Sequence, residues 1–146
     1  MAFDGNPETR WESQYSNPQW LQVDLGEPQE ITRVAITWET AYAKAFQIQT
    51  SLDGSTWSDI YATTAGAGGT SNLAGLKGYG RYVRMYGTAR ATDYGFSIWE
   101  FQVYGQPVES TTRTGLATGA HSWYVVAVDA FGNRRQSTST YSFTVR

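Results

Sequence analysis

Asp4, Asn6 and Thr9 fall close together near the start of the chain, with Gly5 placed to permit a sharp turn. A hard divalent cation takes about six to eight oxygens, several of them backbone carbonyls. A carboxylate, an amide and a hydroxyl at this spacing suit such an ion. Spacing alone favours a metal-free turn held by Asx hydrogen bonds. A second group is aromatic and charged. Tyr42 and Tyr94 stand beside strand-like runs, with Glu39 near the first, Arg90 and Asp93 near the second, and Glu12 just after the Asp4 loop. An exposed ring flanked by fixed polar groups can hold a flat, hydroxyl-rimmed ligand such as a sugar. The plainer role for each is to decorate a loop or cap the core. Arg81 and Arg84 lie on an alternating strand and read either as an anion site or as a solvated face paired with acids. Glu12 and Glu39, if brought together in space, would supply the carboxylate pair of a glycosidase. The chain has no Gly-x-Ser-x-Gly elbow, phosphate loop, Ser/His/Asp set or zinc cluster. Catalysis is therefore not expected.

Composition narrows the classes further. With no cysteine and a single histidine, His121, thiol chemistry, disulfide frameworks and multi-His metal sites are excluded. A net charge of −2 lacks the basic excess that nucleic acid or an anionic membrane requires. No apolar run approaches the roughly 20 residues of a membrane span, and no signal-peptide pattern follows Met1. Aromatic residues make up 15% of the chain and charged residues only 16%, against a usual charged share of about 25%. This is the profile of a secreted all-β domain.

Strands must position these residues. Apolar and polar residues alternate in 20–25, 31–38, 46–50, 82–86 and 98–104. Leu21, Val23 and Leu25 share one face, as do Val34, Ile36 and Trp38. Trp99, Phe101 and Val103 read as an inward set, and Trp20 is out of phase with its strand. Asp53-Gly54 marks a turn and 64–69 a Gly-rich loop. No window carries a helical stripe. Composition shifts near Gly105-Gln106-Pro107: residues 1–105 carry net −4 and residues 106–146 net +2. In that tail, 123–128 and 141–145 read as strands, with a turn at 129–133.

Five ordered stretches carry a resemblance. They are Ala2–Trp11, Gln19–Gly26, Ser51–Trp57, Gly80–Met85 and Trp99–Gly105. Residues 2–105 resemble the discoidin or F5/8 type C family, which overlaps with family 32 carbohydrate-binding modules. The segments Trp38–Tyr42 and Thr92–Glu100 look like modules that bind chitosan or β-glucans. The resemblance implies a galactose-binding-like jelly-roll β-sandwich from a secreted bacterial parent, binding a polysaccharide or oligosaccharide through loops at one end. The sugar site it implies comprises Glu12, Glu39, Tyr42, Arg90, Asp93 and Tyr94. It also implies a structural Ca²⁺ held by Asp4, by the carbonyls of Phe3 and Asn6, by Thr9, and by Glu100. Members of the family usually begin roughly 25–30 residues earlier, with the first strands of the sandwich. The tail, from Thr114 to Asn133, resembles the second half of a fibronectin type III or bacterial Ig-like domain. Two domains, 1–105 and 106–146, are therefore expected, with tail strands completing the sandwich or exchanging between chains as a homo-oligomer. The rival reading is a recombined chimeric sandwich of structural interest without ligand binding.

Overall fold

Alternating apolar residues give strands that are buried on one side. In the computed structural model, residues 1–107, 116–123, 126–128, 134–136 and 141–145 are described. The first six strands are β1 (Trp11–Glu12), β2 (Gln19–Trp38), β3 (Ala43–Ser51), β4 (Ser58–Thr63), β5 (Thr70–Arg90) and β6 (Ser97–Pro107). All pair antiparallel, in the order β1-β6-β2-β5-β3-β4.

This sheet folds back on itself. Straight, the 21 residues of β5 would run roughly 70 Å. Thr37 is paired with Thr70 at one end of β5, and Phe46 with Gly87 near the other. Yet the rings of Trp38 and Phe46 lie 5.3 Å apart, so β5 must double back. The bend coincides with breaks in the β2–β5 register between Asp24/Gln29 and Ile31/Arg33. Gly26 and Gly75 sit there with φ of 84° and 72°, values open to few other residues. Two layers result, joined through β2 and β5, with one core between them. Leu21, Val83, Met85, Phe46 and Ile48 contribute from one half; Val34, Ile36, Trp38, Ile98 and Phe101 contribute from the other. This is the all-β sandwich expected from the sequence.

Three details differ from the sequence reading. Runs 20–25 and 31–38 belong to one bent strand, since the stretch between them keeps pairing with β5. The first half of β5 and all of β4 were not anticipated; their apolar residues are sparse and glycine interrupts β5. Trp99 does not join the inward set. Thr37 pairs with Glu100 and Trp38 with Ile98, so Trp99 falls in a bulge. It is half-buried, with the Arg10 guanidinium 5.5 Å from its ring centre. Trp38, by contrast, is core, and its indole N–H donates to Ser71 Oγ at 3.0 Å.

The chain divides into compact units at Met1–Glu109 and Ser110–Arg146. The composition break at 105–107 lies within β6, four residues or fewer from that boundary. In the second unit, β7 (Gly119–Trp123) pairs with β10 (Tyr141–Val145), and β8 (Val126–Val128) with β9 (Arg134–Gln136), all antiparallel. The six-stranded sheet draws its strands from residues 11–107. The tail strands expected to complete it pair with one another among the described residues. The turn expected at 129–133 lies outside the described residues.

Candidate functional site

Ser97, at the start of β6, gathers one end of the sandwich. It pairs with Glu12 of β1. Its carbonyl accepts from the Glu39 N–H at 3.0 Å, and its own N–H donates to the Ala41 carbonyl at 2.8 Å. Glu12 and Glu39, 27 positions apart in sequence, therefore flank one residue. Arg10 stands near both. Its guanidinium lies 3.7 Å from the Glu12 carboxylate, and its charge helps lower the Glu39 carboxyl. The first cause of that lowering is the Ala41 N–H, which donates to Glu39 Oε2 at 2.8 Å. Glu39 is thus an anion fixed in place by its own turn.

Tyr94 is 62% exposed, and its ring meets Tyr15 edge-on at 5.8 Å. Tyr15 is itself 58% exposed. Its hydroxyl is pushed up in pKa, first by a hydrogen bond to Glu12 and then by the charge of that carboxylate. Tyr15 escaped the sequence reading because it lies in no alternating run. Its one signal was a position three residues after Glu12. Arg90, at the end of β5, donates through Nη1 to the carbonyls of Asp93 (2.7 Å) and Tyr94 (3.2 Å). It thereby fixes the loop that presents Tyr94. The Arg90 Nε is buried without a hydrogen-bond partner among the described residues, as is the hydroxyl of Ser97, itself 2% exposed. Asp93 is exposed. Tyr42 is half-buried against the core and braced by Gly68, where a Cβ would stand 2.8 Å from the ring. Its carbonyl accepts from Ala91 N–H at 3.1 Å, so it is joined to the same end. The structure therefore brings Glu12, Glu39, Arg90 and Tyr94 to one end of the sandwich, to which Tyr42 is joined through its carbonyl.

The Asp4 loop forms a second cluster. The Asp4 carboxylate accepts from Asn6 N–H (3.0 Å) and from the Thr9 hydroxyl (2.8 Å to one oxygen). The Met1 ammonium donates to Asp4 and to Thr9 Oγ1. These bonds, the ammonium's first, hold the Asp4 carboxyl down at about 2. Oxygens here already converge on a positive charge. Phe3 packs edge-on to Phe101 at 5.8 Å, and the Ala2 carbonyl accepts from Phe101 N–H at 2.7 Å. The neighbouring Glu100 has one carboxylate oxygen buried without a partner among the described residues. Among the described residues no group of three or more His, Cys, Asp or Glu side chains converges. A cation here would rest on hydroxyl and carbonyl oxygens besides Asp4 and Glu100, which is the donor set calcium accepts.

A sandwich of this topology matches a known domain class. The family model for NedA-like, galactose-binding domains matches residues 1–85, and the chain belongs to that family. Solved structures refine the likeness. Chitosan-binding module 2 of the chitosanase/glucanase from Paenibacillus sp. IK-5, solved in complex with chitotriose, is 49% identical. The match covers 71% of this chain and 83% of that one, with a TM-score of 0.68. Module 1 of the same enzyme is 45% identical over 71% of this chain and 82% of that one, also with a TM-score of 0.68. A polysaccharide lyase 8 family protein, HylA, from Enterococcus faecalis is 30% identical over 111 residues. That match covers 70% of this chain, which spans only 8% of the length of HylA.

Proposed function

We propose that this chain is a noncatalytic carbohydrate-binding module whose ligand is chitosan or a closely related amino-sugar polymer. The observation that carries this reading is the exposed Tyr94–Tyr15 ring pair beside the carboxylates of Glu12 and Glu39. A sugar ring stacks on Tyr94. The carboxylates take the sugar's ammonium group in a charge-assisted hydrogen bond. Arg90 acts as a positioning residue, since its Nη1 donates to the carbonyls of Asp93 and Tyr94. Asp93 and Tyr42 complete the rim. The 49% identical module solved with chitotriose supports the ligand class.

A Ca²⁺ at Asp4, Thr9, Glu100 and the carbonyls of Phe3 and Asn6 belongs to the same proposal. It would clamp the loop to β6 and take no part in chemistry. We further propose an extracellular role within a larger polysaccharide-acting protein, where repeated modules raise weak single-site affinity. The 106–146 segment is read as a fibronectin III-like or Ig-like half-domain.

The test is affinity electrophoresis of the folded chain through gels with and without chitosan. Retardation by chitosan that is lost in Tyr94→Ala is the expected result. Free passage of the folded parent would overturn the reading.

A further inference from the structure

Each layer of the sandwich ends in two outer strands, and three of the four are protected. The outer strand β4 carries Asp59 and a break in its register with β3 at Ile60. The first part of β5, beside 33–37 of β2, carries Lys77 and turns at Gly75, whose φ is 72°. The outer side of β6 takes β1 at Ser97 and Ile98, and the Ala2 carbonyl on the Phe101 N–H. The fourth outer strand is the first part of β2. Residues 19–24 pair with 82–87 of β5, whereas β6 joins β2 only from Gln29 onward. Among the described residues, no backbone hydrogen bond reaches 19–24 from the other side. A strand paired on one side leaves the N–H and C=O groups of alternate residues turned outward. This edge also carries apolar surface. Trp20 is 51% exposed, an uncommon cost for so large a ring. On the inward face, Val23 and Leu25 are only partly buried against the core. No residue from Gln19 to Val23 is charged. Asp24, which follows, has both carboxylate oxygens held by Arg81 at 2.7 Å. An edge without charge, proline or bulge along its length lacks the features that keep strands from pairing.

We infer that this edge is a dimer interface, in which residues 19–24 pair antiparallel with the same residues of a second copy across a two-fold axis. The occupant follows from the edge itself. A second copy brings Leu21 and Val23 to the inward side of the joined sheet and Trp20 and Gln22 to the outward side. Apolar side chains then meet apolar ones, and no like charges are opposed. A charged or glycine-rich strand would leave Val23 and the Trp20 ring uncovered. The pairing also sets the direction of the loop ends. Gln19 pairs with Gly87, three residues before Arg90, so it marks the end of the strand nearer Tyr94. Antiparallel pairing turns the two Tyr94 ends in opposite directions. On the chitosan reading, on which this consequence alone rests, the dimer bridges two polymer chains where a monomer holds one.

The test is sedimentation velocity of the full chain over a range of concentrations, without sugar. The parent should sediment as a monomer–dimer equilibrium. Gln22→Lys sets two ammonium groups near the two-fold axis and should raise the dimer dissociation constant about tenfold or more. Trp20→Lys should do the same and serves if Gln22→Lys fails to fold. Gln102→Lys, on the outward face of β6, should leave the dimer intact. A parent that is monomeric at every concentration overturns the interface. So does a dimer indifferent to both edge variants, since association would then run through another surface, such as exchanged tail strands. So does equal weakening by Gln102→Lys, which would report charge and not place. A parent that dimerises through this edge yet passes freely through chitosan gels would sink the loop-end reading and sustain this one.

Discussion

Tyr94 rests its ring edge on Tyr15 and takes its loop conformation from Arg90. Its exposure means that removing the ring costs ligand stacking and little folding energy. Tyr94→Ala should weaken chitosan oligosaccharide binding about tenfold or more, with an unchanged urea midpoint. Calorimetry and an unfolding curve check both halves. Arg90→Met separates positioning from contact. It should weaken binding through a loosened loop, while Arg90→Lys restores part of the affinity by keeping one donor near the Asp93 carbonyl. An equal loss in both variants would instead favour direct ligand contact. Glu39 is held ionised by the Ala41 N–H. The carboxylate side of an ammonium pair therefore stays charged through the neutral range. Affinity for chitosan should fall as pH rises through the pKa of the ligand's own amine, and Glu39→Gln should flatten that dependence. These single residues were only partly legible in the sequence. Glu12, Glu39 and Tyr94 stood out by type. Tyr15 and Ser97 did not, because a small polar residue and an off-pattern tyrosine acquire meaning only where three segments meet.

Strands explain why some assignments succeeded. Runs such as Val34-Ala35-Ile36 alternate cleanly because one face is core and the other is not. The first half of β5 contains Gly75, which its φ of 72° favours, and Gly78 and Gly80, which close approach of neighbouring strands requires. At Gly80 a Cβ would stand 2.7 Å from the Ser51 carbonyl oxygen. Glycines that permit the bend also erase the periodic signal. Phe46 measures how far the two layers depend on each other. It is 2% exposed and touches the rings of Trp38 and Tyr61. Phe46→Ala should cost about 3–5 kcal/mol, read from the urea midpoint. The β3–β4 turn gives a pH test. Asp53 accepts from the N–H groups of Thr56 and Ser55 at 2.7 and 2.8 Å and from the Ser51 hydroxyl, and these bonds hold its carboxyl well below the ordinary range. A depressed carboxyl adds stability above its unfolded pKa of about 3.9, and that gain is lost as pH falls toward the folded value. Asp53→Asn should therefore unfold at lower urea than the parent at pH 7. The gap should shrink below about pH 4.

At the scale of the whole chain, the question is what the first unit needs from outside itself. Its sheet draws every strand from residues 11–107, and the core cluster draws its buried residues from Ala2 to Phe101. Among the described residues, that inventory lists none of Ser110–Arg146. A composition shift made the junction legible in the sequence, but sequence alone could not show how tail strands pair, since pairing is set by partners distant along the chain. A chain ending at Glu109 should therefore unfold cooperatively and keep chitosan retardation. Light scattering of the full chain addresses the other arrangement. If the tail strands exchanged between copies, the full chain would run as a multimer and the shortened one as a monomer. Calcium enters here too. The Asp4 loop ties to β6 through the Ala2 carbonyl and the Phe3–Phe101 contact, while Glu100 keeps a buried oxygen without a partner among the described residues. A bound cation would stabilise the folded state by mass action. Calcium should raise the melting temperature of the shortened chain, and chelator should reverse the rise. In Asp4→Ala both effects should vanish, whereas chitosan binding at the Tyr94 end should persist. A melting temperature indifferent to calcium in the parent would mean that the hydrogen bonds of the Asp4 loop and its contacts with Phe101 hold this corner without a cation.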